Sequence, residues 1–401
     1  MKQAWPSSIT GVEGAKPAGS VLDHKFGEGE PYTIGVEEEY MLLDAESFDL
    51  VQRIDTVLAA FVGHEAEARM KPELMQSTLE VATPICRTAA EADRELRRLR
   101  EAVRSIAAEN GLRVGSAGTH PFSLYERQRI TARDRYRALV DQMQYVARRE
   151  LIFGLHVHVA VDDPDKAINV VNGILVDLPL LLALSASSPF WRGEPTGLAS
   201  TRQPIFAAFP RSGPPPRFRD YEEYAEVIGH LEKTGCIADY THTWWDIRPH
   251  PRLGTVEIRI CDCVTRVEDA VAIAAFCQAL VKYYSELYER DGEVPGYHRI
   301  LTTENKWLSV RYGLQAPIMD LATGHRNRVP ITQLVRRRLE EIEPHARELG
   351  SDDALEGIHE ILRRGNGADR QLRVFNANRD IVEVAREIAD ATEAAASAAP
   401  A

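Results

Sequence analysis

Apolar and polar positions recur at two periods along this chain, and the change between them marks out its elements. Tyr32–Leu43 alternates with β-branched and aromatic residues and predicts a strand, closed by a turn at Asp44–Ser47. Leu74–Thr83 predicts a second strand. From Ala89 to Asn110, Leu96, Leu99, Val103 and Ile106 fall on one helical stripe, with Gly111 as a stop and Leu112–Ala117 returning as a strand. Asp134–Glu150 predicts a polar helix, Leu151–Val161 a clear strand ending in an Asp-Asp-Pro turn, and Pro164 the start of another helix. The apolar run Val170–Ala186 is shorter than a membrane span and is interrupted by Asn172, Asp177 and Pro179, so it predicts a buried helix.

Ser187–Arg219 is rich in proline and glycine and predicts a long surface connection, which could act as a lid. Thr241–Ile247 and Gly254–Asp262 predict strands flanking the turn RPHPRLG, and the chain from Val267 onward is mostly helical. Strands separated by helices, with a hairpin near residue 250, indicate an α+β domain with a largely antiparallel sheet. The expected organisation is a loose leader over 1–30, one catalytic domain over 31–390 and a frayed tail over 391–401.

A chain of 401 residues that is 44% hydrophobic and 27% charged can bury a large core. Its net charge of -12 weighs against nucleic acid or an anionic membrane as the main partner. Cys86, Cys236, Cys261, Cys263 and Cys277 show no CxxC spacing and read as reduced thiols, which fits a cytoplasmic protein.

The chemistry lies in the strands. Ionisable residues at i and i+2 project onto one face of a sheet. Glu37 and Glu39 share a face while Glu38 points away; His156 and His158 share one, as do Glu257 and Arg259. Buried unpaired, each such charge would cost several kcal/mol, so these residues must meet a metal, an opposite charge or a wet cleft. Glu73 and Glu80 add carboxylates, and such sets suit hard divalent cations that bridge to phosphates. Neither GxxxxGK[ST] nor GxGxxG occurs, so phosphate would be held by metals and arginines.

The ordered set TIGVEEEY, ELMQSTLEVATP, GTHPF, FGLHVHV, PRSGPPP, RPHPRLGTVEIRICD and ENKWLSVRYGL resembles the glutamate-cysteine ligase type 2 family, in its carboxylate-amine ligase branch within the glutamine-synthetase-like superfold. The resemblance covers roughly residues 30–390. It implies a curved, largely antiparallel sheet with helices on its outer face, binding ATP with Mg2+ or Mn2+ through Glu37, Glu39, Glu80 and Glu257. It further implies that Arg259 and His156 act at the transferring phosphate or beside the metals, and that Arg202 is a second cationic contact. His158, His120, Glu73, Asn305 and Arg311 would serve substrate or nucleotide. The implied reaction joins an amino acid carboxylate to an amine through an acyl phosphate, in a protein that is a homodimer in the family pattern. A metal-dependent hydrolase built on HxH, and an inactive binding protein of the same fold, are the alternatives.

Overall fold

A computed structural model describes residues 22–323 and 327–397. Residues 1–21 of the expected leader and 398–401 of the expected tail lie outside the described residues.

Among the described residues seven strands form one sheet: β1 (Ile34–Asp44), β2 (Met70–Pro72), β3 (Thr78–Ala82), β4 (Leu112–Gly115), β5 (Leu155–Ala160), β6 (Ile247–His250) and β7 (Thr255–Ile258). Their order is β6-β7-β5-β1-β3-β2, with β4 pairing the C-terminal part of β1. Every pairing in this sheet is antiparallel. The expected α+β class with a largely antiparallel sheet is therefore what the chain adopts.

The period of two in β1 sorts its side chains. Val36, Tyr40 and Leu42 are fully buried on one face, while Glu37 and Glu39 stand partly open on the other. Two long helices cover the apolar face: α1 (Ala89–Glu109) and α4 (Val267–Asp291), with α2 (Pro164–Ile174) and α3 (Leu178–Ser185) between them in sequence. The side chain of Thr88 caps α1 by accepting from the Glu91 amide at 3.2 Å. Leu99 and Val103 then pack under Tyr40, Leu42, Leu79 and Val81, and Leu96 joins Val36, Val157, Val256 and α4. Each such buried Leu or Val stabilises the layer by about 1.5–3 kcal/mol. α4 is apolar nearly all round because other helices enclose it.

Glu38 is the exception on the apolar face. It is fully buried and paired with Arg100 of α1, whose guanidinium also donates to the Thr265 carbonyl at 2.7 Å and the Val264 carbonyl at 3.2 Å.

Several elements differ from their sequence reading. β3 starts at Thr78, and the short β2 lacked enough residues to show a period. The expected helix Asp134–Glu150 breaks at Gln144, where φ is 51°, into Asp134–Met143 and Tyr145–Arg148. Arg248, Pro249 and His250 belong to β6, and the turn is confined to Pro251–Gly254 with Gly254 at φ 67°. The apolar run at 170–186 becomes α2 and α3, bent by 66°, and no single helix among the described residues is long and apolar enough to cross a membrane. Asp177 at that bend is buried and bound by the Tyr284 hydroxyl at 2.7 Å and Arg338 at 2.8 Å.

The segment Ser187–Arg219 runs over the surface at 191–199, as expected, but is buried on either side of that stretch. Ser187, Ser188, Phe190, Ser200, Arg202 and Phe206 are buried. Asp262 gathers the Ser187 amide and the hydroxyls of Ser188 and Ser200 at 2.6–2.9 Å, which anchors both ends of the surface stretch. At the ends, residues 22–30 are docked, with Phe26 in the core and the Lys25 amide on the Pro251 carbonyl at 2.9 Å. Ile381–Ser397 is helical, with Thr392 buried and bound by the Ser116 amide. All five cysteines are free, and only Cys236 is exposed.

Candidate active site

Strand register, rather than sequence distance, assembles the polar face. β1 places Glu37 opposite His156 and Glu39 opposite Glu80. β7 places Glu257 between His158 on β5 and Arg248 on β6, and β2 sets Lys71 beside Glu80. These residues, with Glu73, Arg202 and Arg259, line one cavity of about 570 Å³ over the sheet.

Two acidic triads stand within it. Glu37, His158 and Glu257 bring one ligand atom each within 4.8 Å of one another, and so do Glu39, Glu73 and Glu80. The four glutamates expected as metal ligands are thus present, but His158 and Glu73 complete the sets where sequence had given them to substrate or nucleotide. His156 stands beside the first triad, with Nδ1 at 3.5 Å from Glu37.

The electrostatics fit divalent cations. Burial raises the Glu39 carboxyl to about 7, with Arg202 opposing and Glu80 adding to the rise. Burial and the nearby Glu80 and Glu39 push Glu73 well above the carboxylate range. Glu39 and Glu73 therefore resist ionising side by side without further positive charge, which a hard cation would supply. At the first triad, burial opposes ionisation of Glu257, but Arg248, Arg259 and His158 outweigh it and hold the carboxyl well below its usual range. Burial is likewise outweighed at Glu37, by His156 and His158. His158 is oriented by Thr255 at 3.1 Å, while its buried Nε2, 3.7 Å from Glu37 and 4.0 Å from Glu257, has no hydrogen-bond partner. Burial opposes protonation of His158, but Glu257 and Glu37 outweigh it and raise the imidazole above its ordinary value, so a cation at Nε2 would take the place of a proton there while Thr255 fixes the other nitrogen.

Arginines surround these carboxylates. Arg248 grips Glu257 at 2.6 and 3.2 Å, and Arg259 bonds it from the other side. Arg202 is buried, not on a surface loop, and its guanidinium donates to the carbonyls of Ile260 and Arg259 at 3.2 and 3.3 Å. Gly154 makes room for it: a Cβ there would lie 2.5 Å from Arg202 and 2.8 Å from the His156 ring. The Gly154 amide in turn donates to Glu39.

The description "Glutamate-cysteine ligase family 2(GCS2)" belongs to a family model that matches residues 33–391. The chain belongs to this family. Glutamate-cysteine ligase family 2 relatives include a protein of Rubrobacter xylanophilus provisionally named glutamate–cysteine ligase 2-1, 42% identical over 92% of this chain and 97% of its own. A similarly named Sorangium cellulosum protein is 43% identical over 92% and 94%. Among solved structures, a Francisella tularensis glutamate–cysteine ligase in complex with AMP superposes with a TM-score of 0.66 at 14% identity, covering 93% of this chain and 90% of that one. A bifunctional glutathione synthetase of Pasteurella multocida gives 0.67 at 16%, over 91% of this chain and 52% of that one. At such identities the two structures speak for the fold alone.

Three residues that the glutamate-cysteine ligase family 2 resemblance had suggested lie away from the cavity. His120 is buried, donates from Nε2 to the Phe48 carbonyl at 2.9 Å and accepts the Ser123 amide at Nδ1, also at 2.9 Å. Asn305 exchanges reciprocal 2.8 Å bonds with the Met319 backbone. Arg311 bonds the Gly197 carbonyl and stacks on Tyr312. All three hold loops in place. Sequence reading missed Arg248, hidden in a segment that looked like a turn, and Lys71, which reaches Glu80 at 2.8 Å and Glu37 at 3.4 Å. It also missed the aromatic wall of Phe206, Phe209 and Trp244, for which no local period gives a signal.

Proposed function

We propose that this protein is an ATP- and divalent-cation-dependent carboxylate–amine ligase, acting on amino acids, with glutamate as donor and cysteine as one acceptor to test first. The juxtaposition of two acidic triads with Arg259 and Arg202 on one sheet face, in a chain of this family, supports it. Residues 31–390 serve as one catalytic domain in this reading.

The donor carboxylate attacks the γ-phosphorus of ATP, releasing ADP and leaving an acyl phosphate; the amine then attacks the acyl carbon, and phosphate departs as the amine gives up a proton. Phosphoryl transfer of this kind is accelerated by positioning and charge neutralisation. Mg2+ or Mn2+, held by Glu37, His158 and Glu257 and by Glu39, Glu73 and Glu80, would neutralise phosphate charge. Arg259, bonded to Glu257 and lining the cavity, would meet charge that develops on the transferred group. Arg202 adds a second fixed cation, held by two carbonyls. Burial and the adjacent Arg259 depress His156 to about 4, so at neutral pH it is an uncharged ring steadying Glu37. Phe206, Phe209 and Trp244 line the cavity, and this aromatic wall would help keep water from the acyl phosphate.

The test is ADP release by purified protein with ATP and Mg2+, against amino acids offered singly and with amines, with the product identified by mass spectrometry. Release that needs both a carboxylate and an amine is expected. No ATP turnover under any pairing would sink the ligase reading.

A further inference from the structure

Glu150 lines the cavity but belongs to neither acidic triad. Both of its carboxylate oxygens are buried and, among the described residues, without a hydrogen-bond partner. Burial pushes the carboxyl up to about 8, against the pull of Arg202 and Arg149. Buried carboxylates are almost always bonded, because leaving one unsatisfied costs stability without return. Its backbone is well fixed, between the helix Tyr145–Arg148 and the buried Leu151 and Phe153 that lead into β5. Arg149 and Arg202 stand near it, each with a buried Nε that is also unpartnered, and the open side of Glu150 is the cavity, from which a ligand would reach it.

The reactants narrow what that partner is. An arriving ammonium would stabilise the ionised form of Glu150 and donate N–H bonds to it, whereas ATP and a donor carboxylate bring only further negative charge and acceptors. Arg133 and Arg135 line the same cavity and can take the carboxylate that accompanies such an amino group.

We propose that Glu150 receives the amino group of an α-amino-acid reactant, with Arg133 and Arg135 receiving its carboxylate. This rests on the ligase reading and deepens it, since it assigns the side chains that recognise the α-amino group and the carboxylate of the amino acid.

The test compares wild type with Glu150→Gln by calorimetric titration of L-glutamate, L-cysteine and their des-amino counterparts glutarate and 3-mercaptopropionate, with Mg2+ and a non-hydrolysable ATP analogue present. One amino acid is expected to bind the variant at least about tenfold more weakly, as loss of a charged hydrogen bond requires. Its des-amino counterpart should bind both proteins alike, with ATP-analogue affinity unchanged. Which amino acid responds tells whether the donor or the acceptor is held. The variant should unfold at the same or a higher denaturant concentration, because an unpaired buried acid has been removed; a clear loss of stability would mark Glu150 as structural and overturn the proposal. Equal affinities in both proteins, or no amino acid binding by wild type, would overturn it too. Affinity loss in the variant without ADP release by wild type would sink the ligase reading alone.

Discussion

Glu38 and Arg100 form an ion pair sealed between β1 and α1, on the face of the sheet opposite Glu37 and Glu39. Three consecutive glutamates thus divide between two tasks: the middle one fastens the helix layer, and its neighbours face the cavity. The division follows from the strand's period of two.

Removing one partner of this pair leaves a buried charge alone. Glu38→Gln and Arg100→Met are each expected to cost about 3–5 kcal/mol in chemical denaturation, with the double variant Glu38→Gln/Arg100→Met recovering part of that loss. Purely additive costs in the double variant would show that the two side chains do not act as a pair.

At the second triad the expected effect separates function from folding. Glu39→Gln removes a crowded carboxylate while keeping its size, so the thermal midpoint should be unchanged or raised. Mn2+ binding followed by electron paramagnetic resonance should lose one site, and ATP-dependent product formation should fall by about a thousandfold or more. Retained activity with full Mn2+ stoichiometry would remove Glu39 from the cation site.

Gly154→Ala tests how closely the cationic wall is built. The added methyl would overlap Arg202 and His156, and neither can retreat freely from its buried place. A stability loss of about 1–3 kcal/mol is expected, as for other overpacked sites. kcat should fall more than that loss explains, because Arg202 is displaced; unchanged kcat and KM would show that Arg202 takes no part in turnover.

His120 gives a pH signature away from the cavity. Burial depresses it to about 4, below the ordinary value of 6.5. A depressed folded value means that the unfolded chain takes up the proton first. The His120 contribution is therefore complete above pH 6.5 and is lost as pH falls through 4, by up to about 3 kcal/mol. Unfolding free energies measured between pH 7 and 4 should slope less steeply in His120→Asn than in wild type. Parallel slopes would contradict a neutral, buried His120.

Periodicity alone was enough to tell which side chains within one strand share a face. Glu37 with Glu39, His156 with His158, and Glu257 with Arg259 were legible because a strand turns its residues over at every step, whatever surrounds it. The stripe Leu96, Leu99, Val103 and Ile106 was legible for the same reason at the helical period. The pairing of Glu39 with Glu80, the grip of Arg248 on Glu257, the arrival of Glu73 from a turn and the burial of Ser200–Gln203 were settled only by the tertiary structure. Register between strands far apart in sequence is fixed by the packing of α1 and α4 beneath them and by turns whose geometry carries no hydrophobic period. For that reason the sequence determined the residues on the polar face, and the assembled sheet decided which of them stand together.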